Sequence, residues 1–370
     1  MRNQYAPFPF LDFFAGSGLV AEGLKPWFRT AWANDICPKK AKVFLANQPD
    51  HVFHPGSIEH VKGETLPFAI LSWGSFPCQD LSLAGNMHGI TANRSGLVWE
   101  WIRAMDEMPQ KPPVVVAENV VGLVSAEKGA HFQNLFKALN DRGYTCGAVV
   151  LDASYWTPQS RKRVFLVGVS RNIPFEDYAL NLPSWPHPEA LVRAAGLLEG
   201  HVWWKLPKPA KSHVTIDDIF DSELPTNSPE KTERLLDLVP EDHRRRMELD
   251  AKKGKRFFTG YKRVRNGKQV LEIRFDGVAG CLRTPSGGSS RQFVLFYSDG
   301  QWKTRLLAVK EAAMLMGAPE DYVIPGSYND GYKAMGDGVA VPVSRYLAKN
   351  LLAPLAQRAA CKVNEYQKGA

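Results

Sequence analysis

A chain whose first 170 or so residues alternate short apolar runs with helical stretches has few folds open to it, and that alternation is the strongest constraint in this sequence. Residues 8–14, 29–33, 68–73, 114–117, 148–151 and 164–169 read as strands. Apolar runs without polar alternation are buried on both faces, and helices between them act as crossovers. The expectation is an α/β fold, a mostly parallel sheet with helices on both faces. Three runs end in chemically useful residues: Asn34-Asp35, Phe76-Pro77-Cys78-Gln79 and Glu118-Asn119. In open α/β sheets ligands collect beyond the carboxyl ends of strands, so these residues are expected around one crevice.

Beyond about Ser170 the pattern changes. Residues 171–303 are rich in Pro, Trp and charge with weak periodicity, and read as a second, irregular domain; helical pattern returns at 309–316 and 341–352. The five cysteines (Cys37, Cys78, Cys146, Cys281, Cys361) are widely spaced without a C-x-x-C pair, which argues against a structural metal and for a reducing, cytoplasmic setting. Neither a signal segment at the N-terminus nor an apolar run of membrane-spanning length is expected. Within 243–274, twelve Lys/Arg stand against three acids (Glu248, Asp250, Glu272), although the whole chain carries a formal net charge of only +8. A solvated basic face is the bland reading. Concentration of the whole excess in one window points instead to a polyanion, nucleic acid.

Individual motifs narrow the chemistry. Phe14-Ala15-Gly16-Ser17-Gly18 is a glycine turn between strand and helix, and Asp35 ends the next strand. The spacing is not G-x-G-x-x-G. A bare βα turn and an adenosine-type cofactor both stay open, with an acid placed to accept ribose hydroxyls. Cys78 is either an inert thiol or a nucleophile at a strand end, followed by a loop punctuated by Gly85, Gly89 and Gly96. Glu118 is either a surface or capping carboxylate or a buried acid. Arg161 and Arg163, two apart at a strand start, are expected on one face, gripping an anion or a carbonyl.

Taken in order, these motifs resemble those of the DNA cytosine-5 methyltransferases of bacterial type. Phe14–Gly18 is similar to the cofactor motif, Pro77-Cys78-Gln79 to the catalytic motif, Glu118-Asn119-Val120 to the acid motif and Gln159-x-Arg161-x-Arg163 to the arginine motif. Arg305 to Gly317 resembles the helix after the target-recognition domain, and Gly336-Asp337-Gly338-Val339 stands where the last cofactor motif belongs. Six motifs in order across about residues 9–352 are specific together, although each alone is modest.

The resemblance implies a Rossmann-like, S-adenosylmethionine-dependent methyltransferase sheet and a smaller, irregular target-recognition domain. It divides the chain into 1–172, 173–330 with the hinge, and 331–358 returning to the catalytic domain. Cys78 would add to C6 of a flipped cytosine, Glu118 would hold its N3/N4 edge, and Arg163 with Arg161 would bind its O2 side. The cofactor, leaving as S-adenosylhomocysteine, would lie among Phe14, Ala15, Gly16, Gly18, Asp35, Ile36, Ser57, Ile58, Pro77, Leu97, Asp337 and Val339. Gln79, Ser82 and Arg94 would stand near DNA or its phosphates. The segment 277–291 would reach the major groove, with Arg283, Thr284, Gly287, Gly288, Ser289 and Arg291 in contact.

The chain departs from the family pattern at Leu19 in place of a second glycine, at Ser57 and Cys281, and at Asp337-Gly338 within the last motif. A carboxylate at 337 would favour the ammonium of the cofactor. The implied partner is double-stranded DNA, bound by a monomer away from any membrane. A methylase with a cognate restriction endonuclease and a solitary one both stay open, as do a transfer-RNA cytosine-5 methyltransferase and a DNA-binding regulator that has lost its chemistry. Intact Cys78, Glu118 and Arg163 argue against the last.

Overall fold

The computed structural model describes residues 7–49, 52–77, 96–282 and 291–369. Cys78, Gln79, Ser82, Arg94, Arg283, Thr284, Gly287, Gly288 and Ser289 lie outside the described residues. The described chain forms two compact units: residues 1–152, 162–209 and 343–370, and residues 153–161 with 210–342.

Unit 1 is built on a seven-stranded sheet, β1 (Phe8–Phe13), β2 (Phe28–Asp35), β3 (Phe53–Pro55), β4 (Leu71–Gly74), β5 (Val114–Val120), β6 (Tyr144–Asp152) and β7 (Lys162–Ser170), in the order β3-β2-β1-β4-β5-β7-β6. Strands β3 to β5 pair in parallel; β7 runs antiparallel to both β5 and β6. The Val114-Val115-Val116-Ala117 run is fully buried because β5 is central and covered on both faces. Helices α1 (Leu19–Leu24), α2 (Pro38–Asn47), α3 (Leu97–Glu107), α4 (Gly122–Ser125), α5 (Ala130–Asn140) and α6 (Glu189–Ala195) cover the sheet. In α3, Val98, Trp101, Ile102 and Met105 repeat at helical spacing and pack with Leu11, Phe13 and Val115. On the other side, Ala41 and Phe44 of α2 pack on Ala33 and Phe53.

The break expected at 172/173 falls inside unit 1. A short ribbon, β8 (Ala179–Leu180) with β9 (Trp203–Trp204), docks on β6 instead of starting a new core. Trp204 is fully buried and donates Nε1 to the Gly147 carbonyl at 2.9 Å, and the Val202 N–H reaches the Cys146 carbonyl at 2.9 Å.

Unit 2 is more regular than its composition suggests. It holds helices α7 (Pro229–Leu236) and α8 (Glu241–Lys252) against a four-stranded antiparallel sheet, β11-β10-β12-β13 (β10 Phe257–Arg265, β11 Lys268–Arg274, β12 Gln292–Ser298, β13 Gln301–Leu306). Its core joins Leu235, Met247, Phe258, Leu271 and Leu295. Two hairpins turn at Asn266-Gly267 (φ 48° and 76°) and Asp299-Gly300 (φ 53° and 77°), the positive-φ pairs of type I′ turns. Helices α9 (Val309–Leu315) and α10 (Tyr328–Asp337) follow. The expected return to the catalytic domain at 331 comes later, because the Val341 N–H is held by the Met316 carbonyl at 2.9 Å, which keeps α10 with unit 2. The closing helix expected over 341–352 is α11 (Val341–Leu347), then a π-helical stretch (Ala348–Leu352), then α12 (Ala353–Gly369). No helix among the described residues is long and apolar enough to cross a membrane.

Candidate active site

The glycine turn after β1 is set by backbone conformations that few residues adopt. Gly16 (φ 58°) and Gly18 (φ 82°) are left-handed, and so is Phe14 at φ 59°, unusual for a residue with a bulky side chain. What holds the turn is Asp35. One of its oxygens accepts from Gly16 N at 2.9 Å and the other from Cys37 N at 2.7 Å. Asn34 donates Nδ2 to the carbonyls of His54 and Gly56 at 2.8 and 3.0 Å, and so ties the end of β2 to the end of β3. A carboxylate oxygen engaged by one N–H keeps a lone pair for a further donor, which suits Asp35 to a ribose hydroxyl.

The neighbouring residues sort by exposure. Ile58 is core, packed with Trp32 and Phe13, whereas Ile36 is 69% exposed at the end of β2, an apolar face open to a planar ring. Ser57 caps the short turn at Ile58, accepting from Glu59 N at 3.3 Å. Leu97 opens α3 against the core, and Pro77 is exposed. Asp12, on β1, is fully buried, and neither carboxylate oxygen has a hydrogen-bond partner among the described residues. Burial, with the Asp35 charge nearby, holds its carboxyl well above the usual carboxylate range. An orphaned buried acid beside an anion-lined glycine turn is relieved by a cationic ligand. The residues present therefore fit S-adenosylmethionine, whose sulfonium and ammonium are positive.

The acid and arginine motifs meet through strand pairing. Glu118 lies opposite Phe165 and Val120 opposite Arg163 in the antiparallel β5–β7 ladder, so Glu118 and Arg163 are diagonal neighbours on one face. Arg163 Nε approaches Glu118 Oε1 to 3.1 Å, with both side chains largely buried. Next to Glu118, Asn119 donates Nδ2 to the Phe76 carbonyl at 2.9 Å and accepts from Val120 N at 2.9 Å. Asn119 thus pins the chain two residues before Cys78. The sequence placed it in a motif without giving it this task.

Arg161 does not share a face with Arg163. β7 starts at Lys162, and Arg161 belongs to unit 2, where it is 1% exposed. Its Nη1 donates to the Leu282 carbonyl at 3.0 Å and to the Cys281 thiol at 3.2 Å. Its Nη2 donates to the carbonyls of Gly336 at 2.8 Å and Gly338 at 2.6 Å. The expected carbonyl grip exists, but on the protein's own backbone. In the same unit Asp337 is exposed at the end of α10, Val339 is buried, and Arg291 donates to Asn329 Oδ1 at 2.7 Å.

A family model described as C-5 cytosine-specific DNA methylase matches residues 8–353. The Type II methyltransferase M.MspI of Moraxella sp. is 26% identical over 347 residues, 93% of this chain and 70% of that protein. The Type II methyltransferase M.HhaI of Haemophilus parahaemolyticus is 26% identical over 360 residues, 94% of this chain and 95% of that one. Among solved structures, the S. pombe Dnmt2 methyltransferase is similar with a TM-score of 0.61 at 14% identity, over 94% of this chain and 99% of that chain, a likeness of fold. With the family model matched over nearly its whole length and a cofactor turn that fits the sulfonium donor, the chain belongs to the C-5 cytosine-specific DNA methylases, S-adenosylmethionine-dependent enzymes.

Proposed function

We propose that the protein methylates C5 of a flipped cytosine within a specific sequence of duplex DNA, through a covalent bond between Cys78 and C6. The observation that carries this reading is the buried Glu118–Arg163 pair at the end of β5, with Asn119 beside it holding the carbonyl of Phe76. A cytosine inside the stack is out of reach, so the base must leave the helix. Addition of the Cys78 thiolate to C6 turns an unreactive ring into an enamine-like nucleophile at C5. Glu118 takes the N3/N4 edge, and Arg163, held by Glu118, stabilises charge developing on the O2 side. Bound S-adenosylmethionine supplies an electrophilic methyl group, with Asp35 at its ribose and Asp12 offsetting its positive charge. Loss of the C5 proton and elimination of Cys78 then release 5-methylcytosine.

Duplex DNA is favoured by where the positive charge lies. Within α8, each arginine has an acid one turn away: Arg244 with Glu248, Arg245 with Glu241, Arg246 with Asp250. Residues 253–274 hold eight Lys/Arg against Glu272 alone, so most of the excess lies in this stretch; five of the eight stand on the β10–β11 hairpin, where Arg263 and Arg265 share Glu272 and Arg274 pairs with Asp276.

The test uses random-sequence duplex DNA with 5-fluorocytosine in place of cytosine, incubated with protein and S-adenosylmethionine. C5 then has no proton to lose, and the adduct should be trapped on the peptide carrying Cys78, absent from Cys78→Ser. Trapping on another peptide would refute the nucleophile. Trapping only on fluorinated transfer RNA would refute the substrate.

A further inference from the structure

The segment expected to read DNA leaves the described chain at Leu282 and re-enters it at Arg291, and its departure point is unusually constrained. Residues 279–282 are bonded one after another. Ala279 pairs with residues 158–160, its N–H to the Pro158 carbonyl at 2.7 Å and its carbonyl from Ser160 N at 2.9 Å. The Gly280 N–H goes to Gln292 Oε1 at 2.9 Å, and a Cβ at 280 would lie 2.2 Å from the Tyr261 ring. The Cys281 carbonyl accepts from Tyr261 Oη at 2.7 Å. The Leu282 N–H goes to Gln159 Oε1 at 3.2 Å, and its carbonyl takes Arg161 Nη1. Gln159, fully buried, also donates Nε2 to the Leu315 carbonyl at 2.8 Å.

Two side chains of the arginine motif therefore serve this root. Gln159 ties it to the Leu315 carbonyl, and Arg161 joins it to the carbonyls on either side of Asp337. Burying a guanidinium is costly unless its donors are used. A position that only filled space would take an apolar side chain. The planar fork of arginine presents donors in fixed directions, so one group can set the spacing between Leu282 and Gly336–Gly338; a lysine ammonium has no such geometry.

We propose that Gln159 and Arg161 are positioning residues that hold the root of the target-recognition segment, and that Arg161 links this root to the last cofactor motif, coupling DNA discrimination to cofactor binding. Discrimination rests on the function proposed above, and the cofactor's place at Asp337–Val339 on the resemblance of that motif; the bonding frame rests on neither. Because binding coupling is reciprocal, a ligand at one end must be felt at the other.

Hydrogen exchange of the full-length protein tests this. In the wild type, S-adenosylhomocysteine should slow exchange of the Gly280 and Leu282 amides as well as those of 337–341, by about fivefold or more. Gln159→Met should speed exchange at 280–282 alone and leave S-adenosylhomocysteine affinity within about twofold. Arg161→Lys should speed both segments and weaken S-adenosylhomocysteine about tenfold, the low end of ordinary allosteric coupling. When methylated cytosines are mapped in host DNA, both variants should spread methylation to sites differing by one base. Unchanged exchange at 280–282 on adding S-adenosylhomocysteine to the wild type would overturn the coupling. Faster exchange across β1–β5 in the variants, or an unaltered methylation map, would reduce both residues to a structural role. If Arg161→Lys does not fold, the wild-type and Gln159→Met measurements decide. A wild type that leaves no methyl marks would sink the proposed function and leave the exchange result standing.

Discussion

Removing the carboxylate of Glu311 should cost unit 2 about 5–7 kcal/mol, an amount set by what it leaves behind. Arg305 and Glu311 form a two-pronged pair, Nη1 to Oε2 at 2.7 Å and Nη2 to Oε1 at 2.6 Å, with side chains only 5% and 3% exposed. Glu311 also accepts the Ala308 N–H at 2.8 Å, capping α9, and the Asp221 N–H at 3.0 Å. Arg305 reaches the Asp221 carbonyl at 2.7 Å. In Glu311→Ala a guanidinium stays buried without its counter-charge, which typically costs about 3–5 kcal/mol. Two backbone N–H groups lose an acceptor besides, each worth about 1 kcal/mol. For a unit of this size that lowers the transition by roughly 10–28 °C.

The double variant Arg305→Met/Glu311→Leu buries no charge and deprives only backbone groups, the Ala308 and Asp221 N–H groups and the Asp221 carbonyl, so its loss should be about 3 kcal/mol. It should be more stable than the single variant, although it removes more. Calorimetry reads the transitions, and hydrogen exchange in β12 and β13 identifies which belongs to unit 2. A single variant that loses under about 1 kcal/mol, or a double variant as unstable as the single, would refute the electrostatic account.

Three further outcomes are expected. Glu118→Gln should lower kcat by about 10²–10³, the scale of a lost charge-stabilising group, with S-adenosylhomocysteine affinity unchanged; a loss under tenfold would remove Glu118 from the chemistry. Neutralising Arg263, Arg265 and Lys268 should flatten the salt dependence of DNA binding by up to about 3 in log–log slope, against little change for Arg244, Arg245 and Arg246, and equal effects would mean that the helix pairs open on DNA. Acid should destabilise unit 1. His187 accepts from Ser184 N at 2.9 Å and His201 from Ala148 N at 3.2 Å, their rings flank Trp203, and burial pushes both down to about 4. Unfolded histidines take up protons near 6.5, so between there and about 4 the unfolded state binds more protons and stability falls as pH falls. From pH 7.5 to 5 the loss is at most about 2 kcal/mol per histidine, and equal denaturation midpoints at the two pH values would contradict it.

Six of the seven strands of the large sheet and the positions of the glycine turn, Asp35 and Glu118 were legible in the sequence, because apolar run length, glycine and chain punctuation act locally; the three-residue β3 and the β8–β9 ribbon are too short to give such a run. The hairpins of unit 2 had a local signal as well, Asn266-Gly267 and Asp299-Gly300, which weak periodicity in the surrounding residues obscured. Local signals stop where partners are distant in sequence. Only strand pairing brings Glu118 to Arg163, because an antiparallel β7 sits between β5 and β6. Only helical geometry sets an acid beside each of Arg244, Arg245 and Arg246, which look like a basic patch when read in a row.

The arginine motif divides these two kinds of information most sharply. The sequence alone determined that two arginines stand two apart beside a buried strand, which is enough to place a cationic group at the sheet. The tertiary structure decided that they part. The strand begins between them, so Arg163 takes the alternation of the sheet and faces Glu118, while Arg161 escapes it and is claimed by the carbonyls of Leu282, Gly336 and Gly338. Those carbonyls come from residues more than a hundred positions away, and no pattern within the motif encodes them; they meet Arg161 only when the chain has folded back on itself.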